Sequence, residues 1–430
     1  MSSRATSGTT EGVGPAGAAA SPAADGIDVL AGFGAAMLRA GQTAARTREW
    51  MAVLGRKLTV DNLSVGITLD SIVTSGRYEA GTATVLREIG PPGVNAERLG
   101  VLESLAAQSE PGVSPQEIAG QLAAIEKRTP LYSVGWIAAA VGPACGGFAF
   151  LNGCGLPEIV AASIGGGFGQ GLRIVLARRH LNQHVVAALC AIVASGAYLL
   201  VAAATARLGF GASNHPGGLI SSILFLAPGF PLVAAQLDLV QYQTTAALTR
   251  LMYGVMLFLA ATFGFSIVIG ITGTSITHQP GGLELAYPVT LLLRAVASFV
   301  GACAFAMVFN CPARSVLAVG ILGAIANELR LGLHDAGMML APATFFGALA
   351  VGLMASLVHR RLEAPRITLT VPAIIIMVPG VFAFEMIVFF NRGQMLEALQ
   401  ASASCAFVLG AMAMGLAAAR LADARPSAGA

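Results

Sequence analysis

Long apolar runs dominate the chain from Leu131 onward, whereas the residues before it mix apolar and polar positions. Ten of these runs are about 20 residues long, which is the length that a helix needs to cross a bilayer core of about 30 Å. The pattern predicts an α-helical integral membrane protein with about ten transmembrane helices in two halves. The first half (131–271) has runs at about 131–151, 156–176, 184–206, 219–240 and 246–270, and the second (286–421) at about 286–309, 313–329, 336–358, 368–390 and 398–419.

Residues 28–130 have the pattern of a small soluble α+β domain. An amphipathic stretch predicts one helix that ends at Gly55, and the segments rich in Val, Ile and Thr that follow predict two or three strands. Asn95 and Ser114 are good N-caps, so each is expected to begin a further helix.

Both ends of the chain are interpreted as tails. Residues 1–27 are rich in Ala, Gly, Ser, Thr and Pro and lack a continuous apolar core, which is typical of a disordered tail and not of a signal peptide. Residues 422–430 form a short C-terminal tail in the same interpretation.

The fourth and ninth runs carry the same interruption in their middles, at Pro228-Gly229 and Pro379-Gly380. Proline removes a backbone donor and clashes with the preceding turn, so each of these helices is expected to break within the bilayer. Interrupted helices in corresponding positions of two halves are typical of a transporter's binding site.

The spacing of the breaks suggests an internal repeat. Pro228 and Pro379 are 151 positions apart, and Gly264 and Gly415 have the same separation. Because each half has an odd number of spans, the halves would cross the membrane in opposite directions. Such inverted-topology repeats are the architecture of alternating-access carriers.

Composition supports a membrane protein and excludes other classes. The chain is 55% hydrophobic and 11% charged, with a mean hydropathy of +0.74. The net charge of +3 is small and scattered, so no nucleic-acid partner is expected. The six cysteines lack CxxC or metal-ligand spacing, so we expect neither a metal nor another cofactor.

The arginines predict the orientation in the membrane. If the soluble domain is cytoplasmic, nine arginines lie at or near the inner side and three lie outside, as the positive-inside rule favours. Both termini are then cytoplasmic. The inner set is Arg173, Arg178, Arg179, Arg314, Arg360, Arg361, Arg366, Arg420 and Arg425, and the outer set is Arg207, Arg330 and Arg392.

The motifs around the two breaks resemble those of a known family. The first reads Ala227-Pro228-Gly229-Phe230-Pro231, followed by Asp238 and by Arg250 in the next span, and the second reads Val378-Pro379-Gly380. With the soluble N-terminal domain and two blocks of five spans, the chain resembles the threonine/serine exporter family in its fused form, over about residues 28–420.

The resemblance implies export of small hydrophilic amino acids, threonine and serine, across the plasma membrane, which is the inner membrane in bacteria, driven by the proton gradient. Split relatives are associated with export of dicarboxylates such as succinate, which is kept as an alternative. The partners expected are therefore a small-molecule substrate, protons and membrane lipid, and a homo-oligomer stays open.

Two charged residues inside the second half are candidates for coupling and recognition. Glu385 lies six residues after Pro379, and a carboxylate deep in a bilayer is costly and usually functional, which favours proton coupling; a structural pair is the alternative. Arg294 could bind a substrate carboxylate or neutralise Glu385, or else extend to the outer interface.

The breaks and the charges after the first of them complete the candidate site. Pro228, Gly229, Pro231, Pro379 and Gly380 would expose half-helix ends whose free N–H and C=O groups can bind a substrate carboxylate or ammonium; a plain kink is the alternative. A second candidate is a gate on the cytoplasmic side, formed by Asp238 and Arg250, although charges at helix ends are also ordinary.

Other functions are less well supported by the sequence. The chain has no HExxH, GxSxG or P-loop motif, so an enzyme or an ATP-driven pump is not expected. A hydrolase in the N-terminal domain is an alternative, but residues 28–130 contain no histidine and therefore no Ser-His-Asp triad. We expect a regulatory or assembly role for this domain. A passive channel also stays open.

Overall fold

The structure is a computed structural model that describes residues 22–68, 70–78, 81–90, 93–179, 181–209, 216–273, 283 and 285–423. It is mostly helical, and the one sheet within these ranges lies near the N-terminus. A small domain of two layers is followed by a bundle of long apolar helices.

The N-terminal domain packs helices against a three-stranded antiparallel sheet with the order β1-β2-β3. Phe33, Met51, Leu54, Ile72 and Leu99 are fully buried in its core. Its elements are α1 (Pro22–Arg39), α2 (Ala44–Lys57), β1 (Val60–Ile67), β2 (Ser71–Tyr78), β3 (Gly81–Glu88), α3 (Ala96–Gln108) and α4 (Pro115–Glu126).

The predicted helix starts in this domain are confirmed. Asn95 Oδ1 accepts a hydrogen bond from the Arg98 N–H at 3.0 Å, and Ser114 Oγ accepts one from the Glu117 N–H at 3.2 Å. Each side chain thus satisfies one of the free donors at the start of α3 or α4.

The prediction of one helix ending at Gly55 is wrong, because the structure has two helices and Gly55 lies inside the second. The chain turns between them at Gly41, whose φ is +100°, and Thr43 then caps α2. Helix α2 continues to Lys57 since burial of Met51 and Leu54 outweighs a glycine cost of about 1 kcal/mol.

Helix α1 begins at Pro22, inside the stretch interpreted as a disordered tail. Its first residues are alanine-rich, and alanine is both the strongest helix former and common in low-complexity tails, so composition did not separate the two. Residues 1–21 and 424–430, which make up the rest of the predicted tails, lie outside the described residues.

The membrane region consists of helices that follow the predicted runs closely. They are α5 (Val134–Leu151), α6 (Leu156–Ala177), α7 (Gln183–Arg207), α8 (Pro216–Ser221), α9 (Gly229–Val240), α10 (Thr244–Thr272), α11 (Tyr287–Val308), α12 (Ala313–Asp335), α13 (Leu340–Leu362), α14 (Arg366–Ile374), α15 (Gly380–Asn391) and α16 (Met395–Asp423).

Among the described residues, eight helices are long and apolar enough to span a bilayer, or nine if a bent pair counts as one span. That pair is Arg366–Met377 with Gly380–Asn391, bent by 49°. The predicted fourth span is not among them, because the Pro228 break divides it into α8, a 3₁₀ turn at Leu224–Leu226 and the 12-residue α9. By length and composition the described residues therefore support eight or nine spans, against the predicted number of about ten.

Small residues bring the membrane helices close together. A Cβ atom added at Gly165 would stand 2.5 Å from the carbonyl oxygen of Ala194 on α7, and one at Gly415 would stand 2.5 Å from that of Phe345 on α13. Such contacts allow backbones to pack closely in lipid, where apolar burial does not drive helix association.

The N-terminal domain is fixed to the start of the second half. The Ala96 N–H, at the start of α3, donates to the Phe309 carbonyl at 2.8 Å, just after α11 ends. Asn310 Oδ1 accepts from the Leu131 N–H at 2.7 Å, and its Nδ2 donates to Asn95 Oδ1 at 3.0 Å. We call this end of the bundle the domain side and the opposite end the far side.

Candidate functional site

The two breaks have the same backbone geometry. Ala227 (φ −58°, ψ 125°) and Pro228 (φ −77°, ψ 53°) form the first, and Val378 (φ −60°, ψ 130°) and Pro379 (φ −78°, ψ 51°) form the second. In each, a 3₁₀ turn ends, the chain extends for one residue, and a new helix begins after the proline.

The breaks also contact each other reciprocally. A Cβ atom at Gly229 would stand 2.7 Å from Ile375 Cγ1, and one at Gly380 would stand 2.6 Å from Leu224 Cδ2. Leu224 and Ile375 are separated by 151 positions, as are the two glycines. Each glycine therefore packs against a residue of the other half, and a shift of 151 positions converts one contact into the other.

Two cavities lie on opposite sides of this contact, one towards the domain side, of about 320 Å³, and one towards the far side, of about 380 Å³. Both sizes suit a small ligand. Four residues line both cavities and separate them: Ala227, Gly229, Phe305 and Ile375. We call these four residues the partition.

The N-terminal domain forms one wall of the domain-side cavity through residues that include Leu38, Gly41 and Val94. The contact with the first break is close, since a Cβ atom at Gly41 would stand 2.9 Å from Phe230 Cζ. The domain thus closes part of the cavity, and the polar groups that line it include Gln170.

The far-side cavity contains the acid that sequence reasoning favoured for coupling. Glu385, Arg330 and His334 line it together with Pro379 and Gly380. Glu385 is partly exposed and lines this cavity, so the residue is not enclosed in the core.

Each cavity has one arginine that sequence reasoning missed as a site residue. Arg173 Nη1 donates to the Phe225 carbonyl at 3.4 Å on the domain side, and Arg330 Nη1 donates to the Met377 carbonyl at 3.4 Å on the far side. Both carbonyls belong to the turn just before a Pro-Gly break. Neither arginine forms an ion pair within the residues that the structure describes.

A sequence signal for these arginines existed. Gln170 precedes Arg173 by three positions, Asn327 precedes Arg330 by three, and the two pairs are 157 positions apart. Both amides are buried, and an oxygen of each lacks a hydrogen-bond partner in the described part of the chain.

Asp238 and Arg250 form an ion pair at 3.2 Å that is buried against the N-terminal domain. Asp238 is 0% exposed, and its Oδ1 accepts a hydrogen bond from the Ala44 N–H at 2.8 Å. Arg250 Nη2 donates to the Gln42 carbonyl at 2.7 Å. The carboxylate therefore caps the start of α2, and the pair joins this domain to the first half.

Arg294 does not lie in either cavity. Its Nη1 is 2.6 Å from Asp335 Oδ2, near the far-side ends of α11 and α12, and its side chain is 27% exposed. In this structure Arg294 thus pairs with Asp335, and its predicted roles towards Glu385 or a substrate carboxylate stay predictions. Asp335, which lies just beyond the predicted seventh run, is the partner that the sequence pattern did not reveal.

A second buried acid was also missed. Glu158, near the start of α6, is 1% exposed, and neither of its carboxyl oxygens has a hydrogen-bond partner in the ranges that the structure describes. Its Cβ lies close to Gly218 and Tyr198, since a Cβ atom at Gly218 would stand 2.9 Å from it. The only sequence signal was an acid directly after Pro157 at a span end.

The structure offers no cluster of three or more His, Cys, Asp or Glu side chains that could hold a metal, within the residues it describes. The six cysteines are free thiols, and four of them are buried.

Comparison with known proteins gives two family matches that together cover most of the chain. Residues 28–272 match a family model described as "putative threonine/serine exporter" and residues 294–422 match one described as "threonine/serine exporter, ThrE". This chain belongs to the threonine/serine exporter family.

Relatives of this exporter-family protein carry two different descriptions. A Mycobacterium tuberculosis protein described as a "probable threonine/serine exporter" is 25% identical over 85% of this chain and 70% of its own length. An Escherichia coli K12 protein described as "probable succinate transporter subunit YjjP" is 27% identical over 55% of this chain and 91% of its own length. No solved structure matches the chain.

In this exporter-family protein, most of the predicted site residues line at least one of the two cavities. Arg250 lines the domain-side cavity, Glu385 lines the far-side cavity, and Asp238 lies outside both. The break residues also line the cavities: Pro228, Gly229 and Pro231 on the domain side, and Gly229, Pro379 and Gly380 on the far side.

Proposed function

We propose that this protein is a secondary transporter that exports small hydrophilic amino acids such as threonine and serine across the plasma membrane by alternating access. The observation that carries the proposal is the reciprocal contact of the two breaks, with a cavity on each side and a partition of four residues between them. A carrier needs such a barrier, because access from the two sides must alternate around a central site.

The reciprocity of the breaks supports an inverted-topology repeat. Gly229 packs on Ile375 and Gly380 packs on Leu224, which is the pattern that a two-fold relation between the halves would produce. The neighbours of the helices follow the same order: α5 packs on α6, α6 on α7 and α7 on α10, and α11 packs on α12, α12 on α13 and α13 on α16.

Glu385 is our candidate for proton coupling. It lies in the far-side cavity near the second break, where a carboxyl group can exchange a proton with water and respond to a nearby substrate. The Asp238–Arg250 pair is proposed to hold the N-terminal domain over the domain-side cavity, so that it would gate access by keeping this domain in place.

Export of a dicarboxylate is the second candidate. The printed description of the Escherichia coli relative names succinate, and each cavity of this chain holds an arginine able to bind a carboxylate. Both candidate functions would use the same two cavities. They differ in whether the substrate has an ammonium group in addition to a carboxylate.

Transport in proteoliposomes tests the proposal. The purified protein is reconstituted with labelled threonine, serine or succinate inside, a pH gradient is imposed, and wild type is compared with Glu385→Gln and with Glu397→Gln, an exposed acid on α16. We expect the pH gradient to accelerate substrate efflux in wild type and in Glu397→Gln. We expect Glu385→Gln to exchange substrate across the membrane without acceleration by the gradient. Efflux at channel-like rates without a gradient would contradict the carrier, and unchanged coupling in Glu385→Gln would remove this acid from the mechanism.

A further inference from the structure

We propose that Arg173 and Arg330 are two carboxylate-binding stations, one on each side of the partition, which hold the substrate's carboxylate in turn as it crosses. The proposal rests on the transport function proposed above and names the group that the site recognises. It requires a substrate with at least one carboxylate, which both threonine and succinate provide.

The positions of the two arginines relative to the breaks are matched. Arg173 lines the domain-side cavity and bonds the Phe225 carbonyl, and Arg330 lines the far-side cavity and bonds the Met377 carbonyl, both at 3.4 Å. Each guanidinium is thus tied to the turn that precedes a Pro-Gly break. A carboxylate bound there would lie directly beside the partition.

Each guanidinium has donors left for a ligand. A guanidinium carries five N–H donors in a planar fork, and the contacts described above use one donor of each arginine. The Nε of Arg330 is buried without a hydrogen-bond partner in the part of the chain that the structure describes. A carboxylate can accept two parallel N–H bonds from such a fork.

The charge of these arginines also indicates an anionic ligand. Within the described residues neither forms an ion pair, in contrast to Arg250 with Asp238 and Arg294 with Asp335. An unpaired cation inside a membrane bundle is costly, so such residues usually face a water-filled path and bind a charged partner. A substrate carboxylate would supply the missing negative charge.

The domain-side station has a second group that suits an amino acid. Gln170 lies one helical turn before Arg173, on the same face of α6, and lines the same cavity. It is 3% exposed, and its Oε1 has no hydrogen-bond partner among the described residues. This oxygen can accept a bond from the substrate's ammonium group while Arg173 binds the carboxylate.

The experiment compares each acid with the amide in which an uncharged carboxamide replaces the carboxylate. Uptake and efflux of threonine, threoninamide, succinate and succinamide are measured in proteoliposomes for wild type, Arg173→Gln, Arg330→Gln and the conservative variants Arg173→Lys and Arg330→Lys. The matched controls are Arg179→Gln and Arg207→Gln, which change exposed arginines at the domain-side end of α6 and the far-side end of α7. Thermal stabilisation of each purified variant by the four probes is measured in parallel.

We expect wild type and both controls to prefer an acid over its amide by at least tenfold. The two glutamine variants should lose most of this preference, and the lysine variants should retain part of it. A variant that is merely misfolded would lose transport and stabilisation by acid and amide alike, so a changed preference is specific. With vesicles of known orientation, Arg173→Gln should raise the KM from the domain side and Arg330→Gln that from the far side.

Failure of the proposed transport function and failure of the assignment of the two arginines give different results. If the wild-type protein transports none of the four probes and none of them stabilises it, the proposed function is wrong. The assignment of the two arginines as carboxylate-binding stations is then wrong as well. If wild type moves an acid and the glutamine variants keep the full preference for acid over amide, transport stands and the assignment of these two arginines is wrong.

Discussion

Gly229 packs directly against Ile375, so closely that a Cβ atom added at Gly229 would stand 2.7 Å from Ile375 Cγ1. The contact joins the start of α9 to the turn before α15, and so connects the broken helices of the two halves. Glycine is required here for close approach, and not for a left-handed backbone, since Gly229 is not among the residues with positive φ.

The first prediction concerns this contact. Gly229→Ala should destabilise the protein by about 1–3 kcal/mol, as overpacking does, and should reduce transport because the partition is forced apart. Gly410→Ala on α16 is the control, since nothing lies within 4 Å of a Cβ atom there. The measurement is thermal unfolding in detergent together with threonine efflux.

A double-mutant cycle sharpens this prediction. Ile375→Ala removes the atom that the new methyl group meets, so Gly229→Ala/Ile375→Ala should be less destabilised than the sum of the single variants. Strict additivity, or a Gly229→Ala variant as stable and active as Gly410→Ala, would mean that the two breaks do not pack as described.

The second prediction concerns the junction between Asp238 and the N-terminal domain. Asp238→Asn should leave Arg250 buried without its counter-charge, which costs about 3–5 kcal/mol, and should weaken the cap of α2. Hydrogen exchange should therefore speed up at the start of α2. Glu49→Gln breaks only an exposed pair with Arg46 and should change stability by at most about 1 kcal/mol. Equal hydrogen-exchange rates at the start of α2 in the two variants would contradict the described contact between Asp238 and this helix.

The third prediction concerns pH and Glu103 in the N-terminal domain. Burial raises the pKa of Glu103 above its usual range, and the nearby Arg46 offsets this only in part. The protonated form is thus favoured in the folded domain. Protonated Glu103 contributes its full stability below the pKa that Glu has in the unfolded chain, about 4.3. This contribution is lost as pH rises through the higher pKa of Glu103 in the folded domain.

Glu103→Gln should therefore unfold at a higher temperature than wild type at pH 7, and the difference should shrink as pH falls towards 4. Trp50 fluorescence in a Trp136→Phe background follows unfolding of this domain. Glu117→Gln, at an exposed position of α4, is the control. A difference that does not change with pH would show that the Glu103 carboxyl does not titrate in this range.

Much of the fold could be predicted because its signals are local. Asn95 and Ser114 begin helices as side-chain caps, and the apolar runs match the membrane helices closely. The predictions at Gly55 and Pro22 were wrong because packing of neighbours, and not local propensity, decides the outcome. Packing lets α2 continue through a glycine, and it lets an alanine-rich segment form the start of α1.

The site was only partly predictable for a related reason. The Pro-Gly breaks are visible as residue types, but their mutual contact depends on how two distant segments pack. Arg294 was singled out for its depth in a run, although Asp335 is its partner across the helix pair. Arg173 and Arg330 were read as surface charges, because a span boundary does not reveal which side chains face a cavity.

We propose that the two cavities separated by the partition open alternately. Ile174 lines the domain-side cavity and Leu331 lines the far-side cavity, at positions separated by the same 157 residues as the two arginines. Cysteines placed at these positions in a background without the native cysteines can be labelled with a membrane-impermeant maleimide from either side, with and without threonine. We predict that threonine shifts the two labelling rates in opposite directions. Simultaneous labelling of both positions, unaffected by threonine, would contradict alternating access.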